Sequence, residues 1–185
     1  MSRRFLTPRF ITPAKAGAQF LAMLFLLAAC GFELRGEPSV GLHAVFLSGA
    51  VPSTVIGEIK RILLTGSTRV VAVEKDGEAS LKITAESREK TVFTVTGTGR
   101  VYEYQLRLAA TYQLTVPGRE EPVIAPTEVI ATRLITYNES APTAKDAEEQ
   151  LLYKDMQADI ASRILRQVAV ARRESPAAFI PPPPQ

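Results

Sequence analysis

Between Tyr102 and Val116 the apolar residues take every second position. Tyr102, Tyr104, Leu106, Leu108, Ala110, Tyr112, Leu114 and Val116 alternate with Glu103, Gln105, Arg107, Ala109, Thr111, Gln113 and Thr115. A helix would scatter that apolar set around its circumference, whereas a strand gathers it on one face. The segment is therefore a long strand with one face on a core and the other toward something wet, and the remainder of the chain has to supply the core.

The flanking sequence supplies strands before it and helices at two places. Val40–Leu47 is apolar with partial alternation and predicts a strand, which Gly49 and Pro52 break. Ser53 or Thr54 can cap a helix whose apolar stripe is Val55, Ile56, Ile59, Ile62 and Leu63, and Thr65-Gly66-Ser67 stops it. A short strand is expected over Arg69–Val73, and Lys75-Asp76-Gly77 is a turn. Leu81, Ile83 and Ala85 alternate with charged and polar residues in a strand that can run on to Val95, and Gly97 and Gly99 close a hairpin. After the long strand, Pro117-Gly118-Arg119-Glu120 turns the chain into another strand over Val123–Tyr137, where Pro126 demands an edge or a bulge.

A long helix follows Pro142, with Thr143 and Asp146 approximating a capping box. Tyr153, Met156, Ile160, Ile164 and Val168 share one of its faces. Its acidic residues come early and Arg163, Arg166, Arg172 and Arg173 come late, the order that complements the helix dipole. The fold class is α+β: four or five largely antiparallel strands with two helices packed on one face of the sheet. The segment from Ser175 to Gln185, with four prolines near its end, is expected to stay unpacked as a disordered, proline-rich tail.

The N-terminus carries a different kind of information. Arg3, Arg4, Arg9 and Lys15 precede an apolar run from Phe20 that ends at Ala28-Ala29-Cys30-Gly31, with no acidic residue before Glu33. A basic start, a short apolar stretch and small residues before a cut define a secretory signal over 1–29. The run is too short to span a bilayer as a mature helix. Leu27-Ala28-Ala29-Cys30 resembles the bacterial lipobox. The resemblance implies acylation of Cys30, the chain's one cysteine, and attachment to the outer membrane on its periplasmic side, since Gly31 and not Asp follows. Removing 1–29 takes four basic residues and no acidic one, leaving 18 basic against 19 acidic. The high isoelectric point belongs to the signal, and it does not argue for nucleic acid.

No catalytic set is present. The one histidine, His43, has no acid or activated serine beside it, and a lone cysteine with a lone histidine makes no metal site. Glu148 and Glu149 are adjacent on a helix and point roughly 100° apart, the pattern of a solvated surface. The residues thus predict no enzyme, no metal and no cofactor.

From Cys30 to Arg173 the chain resembles the LptE family of LPS-assembly lipoproteins. The likeness is carried by Cys30-Gly31-Phe32-Glu33-Leu34-Arg35, by Glu103-Tyr104-Gln105 opening the long strand, by the Pro117-Gly118-Arg119 turn, and by Ala144-Lys145-Asp146 with Glu149-Gln150 and the helix to Val168. The domain so delimited is 30–174. The resemblance implies that the protein plugs the LptD β-barrel of the outer membrane and binds lipopolysaccharide. A polar strand face of Glu103, Gln105, Arg107, Thr111 and Gln113 suits a polar barrel interior, and equally suits a solvated sheet face. The family's basic positions map here onto Lys145 and, in the hairpin, onto Arg100, with Arg88 and Lys90 on the strand before it. Arg and Lys there are the groups that could hold lipid phosphates. Two other roles fit the same residues less specifically: an outer-membrane lipoprotein serving as structural adaptor in another envelope complex, and a periplasmic hydrolase, which the missing catalytic set disfavours.

Overall fold

The alternating segment is the fourth strand of a five-stranded sheet. In a computed structural model the described residues are 40–49, 52–137 and 142–179. They form β1 (Ala44–Gly49), α1 (Thr54–Thr65), β2 (Arg69–Val71), β3 (Ala79–Val95), β4 (Val101–Thr115), β5 (Ile124–Thr136) and α2 (Pro142–Glu174), with short 3-10 turns at Glu74–Asp76 and Pro176–Phe179. The strand order is β2-β1-β3-β4-β5. β3–β4 and β4–β5 are antiparallel, while β1 runs parallel to both β2 and β3. The sheet is therefore mixed and mostly antiparallel. Because β2 and β3 lie on opposite sides of β1, the Lys75-Asp76-Gly77 turn joins two non-adjacent strands and closes no hairpin.

The two hairpins do form where expected, and Gly99 (φ 79°) and Gly118 (φ 83°) supply the left-handed conformation that their turns need. Along β4, Leu106, Leu108, Ala110, Tyr112 and Leu114 are all buried, so the predicted inner face is the core face. Ala109 breaks the alternation, since it is buried on the outer side too. It lies directly between Ser87 and Ile130 on the neighbouring strands, and a side chain that small is covered by what flanks it.

Both helices pack on that inner face and share one core with it. Ser53 caps α1, accepting from the Ile56 N–H at 3.1 Å, and buries Val55, Ile59 and Leu63. The Glu86 carboxylate accepts from the Val55 N–H (3.3 Å) and from the Ser53 and Thr54 hydroxyls, placing a negative charge on the positive end of the helix dipole. α2 lies against β4 and β5 and buries Tyr153, Met156, Ile160, Ala161, Ile164, Leu165 and Val168. Tyr112 and Tyr153 tie the layers together through Gln167 and the Glu89 carbonyl (3.0 Å) respectively. On the edge strand β5, Pro126 is exposed, as expected, and Arg163 of α2 donates to the Ile130 carbonyl at 3.3 Å, covering part of the edge.

Three expectations need correction. The first strand starts at Ala44 and not at Val40; Val40 and Leu42 precede it yet are buried, so their apolar character comes from core contact without a ladder. Thr143 is not the cap of α2, because Pro142 already occupies the first helical position, where its missing N–H costs nothing. The C-terminal segment does not stay unpacked from Ser175. Pro176–Phe179 turns back, Phe179 is buried, and the Arg172 guanidinium sits 5.0 Å from its ring centre. The aromatic carries enough apolar area to offset the ordering of one short turn. The proline run itself, like residues 1–39, lies outside the described residues.

Candidate functional site

Two surfaces gather the residues singled out in the sequence. The first is the outer face of the sheet, opposite the helices. Glu103, Gln105, Arg107, Thr111 and Gln113 project there from β4, all half-buried among neighbours and not fully solvated. Arg107 is the hub: Nη1 lies 3.3 Å from Glu89 on β3, and Nη2 lies 3.5 Å from Glu128 on β5. Glu103 accepts from the Thr94 hydroxyl at 3.0 Å. Ile130 (38% exposed) and Leu134 (49%) stand on the same face, opposite Ala109 and Gln105. The result is a polar surface with two apolar points, on which Arg107 offsets two of the carboxylates. It suits contact with another polar wall better than a hydrophobic core.

The second is the end of the sheet where β3, β4 and β5 meet the start of α2. Arg88 and Lys90 face the helix side, opposite Leu108 and Leu106. Arg88 stacks 5.2 Å above the Tyr153 ring and donates to the Thr54 hydroxyl at 3.0 Å. Lys90 pairs with Glu149, and its ammonium lies 4.6 Å from the centre of the Tyr104 ring. The hydrogen bond to Glu149 raises the Lys90 pKa above its ordinary value, against some desolvation. These two cations thus fasten β3 to α1 and α2.

Lys145 donates to Glu148 at 2.7 Å, one turn on. It nonetheless converges with Lys90 on a single cleft, whose other walls are Tyr104, Ile135, Thr136, Tyr137, Asp146 and Glu149. Tyr104 and Tyr137 meet edge to face, 5.5 Å apart at 88°, and stiffen that wall. Arg100 is in the β3–β4 turn, where its N–H donates to the Thr96 hydroxyl (3.1 Å) and its carbonyl accepts from the Thr96 N–H (2.7 Å). It stands four residues along β4 from Tyr104, about 13 Å at strand rise. All four basic candidates therefore lie at one end of the sheet, but only Lys90 and Lys145 share a cleft.

Tyr104 and Tyr137 belong to this end as well; Glu148 is exposed helix surface, as expected, whereas Glu149 is half-buried against Lys90. The Lys145–Glu148 spacing was the one available signal; Lys90 and Glu149 are 59 residues apart. Cys30 lies outside the described residues. His43 is exposed, with its carbonyl accepting from the Arg69 N–H. Among the described residues no group of His, Cys, Asp and Glu side chains gathers that could hold a metal.

Comparison with known proteins points one way. The family model described as LptE, lipopolysaccharide-assembly, matches residues 47–168. An LPS-assembly lipoprotein LptE of Yersinia enterocolitica is 30% identical over 155 residues, covering 81% of this chain and 72% of its own. The LptE of Pectobacterium atrosepticum is 28% identical over 153 residues, with 80% of each chain covered. Among solved structures, lipoprotein B of Nitrosomonas europaea superposes with a TM-score of 0.65 at 31% identity, over 78% of this chain and 93% of that one. The rare lipoprotein B of Shewanella oneidensis shares the fold, with a TM-score of 0.62 at 23% identity over 71% and 97% of the two chains.

Proposed function

Because this chain belongs to the LptE lipopolysaccharide-assembly family, we propose that it works at the outer membrane as the lipid-anchored partner of an LptD-like β-barrel, plugging that barrel and binding lipopolysaccharide. Cys30 is the acylated residue in this proposal and holds the protein on the periplasmic side. The observation that carries the barrel contact is the uncovered outer face of β3–β5, with Arg107 bridging Glu89 and Glu128 at its centre. A lumen lined with polar side chains is a natural counterpart to such a face. Lys145, with Arg100 beyond it on the hairpin, supplies cations for lipid phosphates at the end of the sheet. The protein acts by binding and positioning; nothing in its residues calls for a chemical step.

Co-purification tests this. Arg107→Glu places three carboxylates in a row on the outer face, while the exposed pairs it removes are worth only about 0.2–1 kcal/mol each to the isolated domain. The variant should remain folded by circular dichroism and retain much less of a large β-barrel in mild detergent than wild type does. Equal recovery of the barrel takes this face out of the contact, and recovery of a different envelope complex favours the adaptor role. Cys30→Ala should shift the protein out of the outer-membrane fraction; unchanged fractionation removes the anchor.

A further inference from the structure

The free edge of β5 is where another strand would join this sheet. The Tyr137 N–H donates to the Tyr102 carbonyl, so the odd-numbered residues before it turn their backbone groups toward β4 and the even-numbered ones turn outward. Glu128, Ile130, Thr132 and Leu134 therefore face away from the ladder, and Pro126, of the same parity, has no N–H to offer. From Val129 to Thr136 the strand reads Val-Ile-Ala-Thr-Arg-Leu-Ile-Thr, strand-forming residues with a single charge at Arg133. An open edge of that composition is a template for a further strand.

Two of the outward carbonyls are already taken. Arg163 Nη1 donates to that of Ile130 at 3.3 Å, and Arg133 Nη1 donates to that of Thr132 at 3.0 Å. Both guanidiniums are held from α2. Asp155 accepts from Arg133 Nε at 3.2 Å and from its Nη2 at 2.8 Å. Asp159 accepts from Arg163 Nε at 3.0 Å and Nη2 at 2.8 Å, and lies 3.6 Å from Arg133 Nη2. Asp155, Asp159 and Arg163 recur every four residues, so one stripe of α2 runs beside the edge. The planar fork of arginine lets each side chain hold a carboxylate and still spend one N–H on a backbone carbonyl.

We propose that Arg133 and Arg163 seal β5 and keep a second copy of this chain from pairing with it edge to edge. Such a pair is two-fold symmetric: each copy presents the same outward groups, and the two sheets run on as one. A guanidinium on an edge carbonyl removes the acceptor and stands in the space that the incoming strand needs. In a symmetric pair each loss counts twice. The seal does not depend on the barrel contact, and it leaves the domain as a single copy with its outer sheet face open to a partner.

The test compares full-length wild type with Arg133→Ala plus Arg163→Ala in mild detergent, by sedimentation over a range of protein concentrations and by amide hydrogen exchange. Wild type should be a single copy whose Ile130 and Thr132 N–H groups exchange fast; a wild type already paired at this edge overturns the seal. Exposed ion pairs contribute little to folding, so the double variant should keep its circular dichroism. Each carbonyl returned to the edge should tighten self-association by roughly two- to ten-fold, with the same two amides slowed. A double variant that stays a single copy overturns the proposal. Adding Thr132→Pro, which removes an outward N–H at an edge position, should return it to single copies. Association that survives the proline, or that leaves the two amides fast, runs through another surface and overturns the seal as well. Arg163→Ala alone, at an exposed side chain, repeats the measurement where the fold is not at issue. It should shift association in the same direction by less, and no shift there counts against the seal.

Discussion

The β3–β4 hairpin is one pair of strands with two different fates. In its near half, Leu81 and Ile83 face Leu114 and Tyr112 across the ladder, and each is at most 1% exposed. In its far half, Val92, Phe93, Val95 and Tyr102 are apolar as well, and each is more than half exposed. The backbone pairing continues through both halves, and the difference lies in what covers them. α1 and α2 roof the near half, and α2 begins only at Pro142, at the level of Lys90 and Tyr104. Alternation tells which face a residue takes, but not whether another layer reaches it. The junction of the halves is held by the few polar fasteners already described, Arg88 on Tyr153, Lys90 with Glu149, and the Tyr153 hydroxyl on the Glu89 carbonyl.

The comparison breaks most decisively in a denaturant series. Leu108→Ala, with a wholly buried side chain, should cost about 2–5 kcal/mol, whereas Val92→Ala should stay within roughly 0.5 kcal/mol. Equal losses would mean that the far half is covered after all. Phe179→Ala comes next. A buried Phe→Ala costs about 3–5 kcal/mol, and the position of this ring at the rim of the core puts it at the low end. An unchanged melting temperature would return residues 176–179 to an unpacked tail.

Alkaline titration gives a subtler test. Burial pushes the Tyr112 phenol pKa up, and burial with Glu149 nearby does the same for Tyr153. A folded pKa above the unfolded value of about 10 means that stability is fully present below that pH and is lost as pH rises through the folded value. Lys90, raised by Glu149, acts in the same direction. Thermal stability should therefore fall above about pH 10, and Tyr112→Phe should flatten the fall. A profile as steep in the variant as in wild type assigns the loss elsewhere. The smallest effect is expected from Tyr153→Phe, which removes one hydrogen bond to the Glu89 carbonyl at the junction and should cost about 0.5–1.5 kcal/mol in chemical denaturation. A zero cost would show that the ring alone, under Arg88, makes that fastening.

The local grammar of the fold is legible in the amino-acid order alone. The period-two run of β4, the Ser53-capped stripe of α1 and the Tyr153–Val168 stripe of α2 are each written within a few turns or pleats, because burial on one face imposes a 2.0 or 3.6 repeat on the chain itself. The single cysteine and single histidine likewise bounded the chemistry without any coordinates. Long-range packing sets the rest: β1 lies parallel between β2 and β3, Phe179 folds back onto the core, and Lys90 meets Glu149 across 59 residues while Arg107 bridges Glu89 and Glu128. Such partnerships leave no local repeat. Their closure entropy grows only slowly with the length of chain between them, so many long-range pairings compete on similar terms, and packing of the whole layer selects among them.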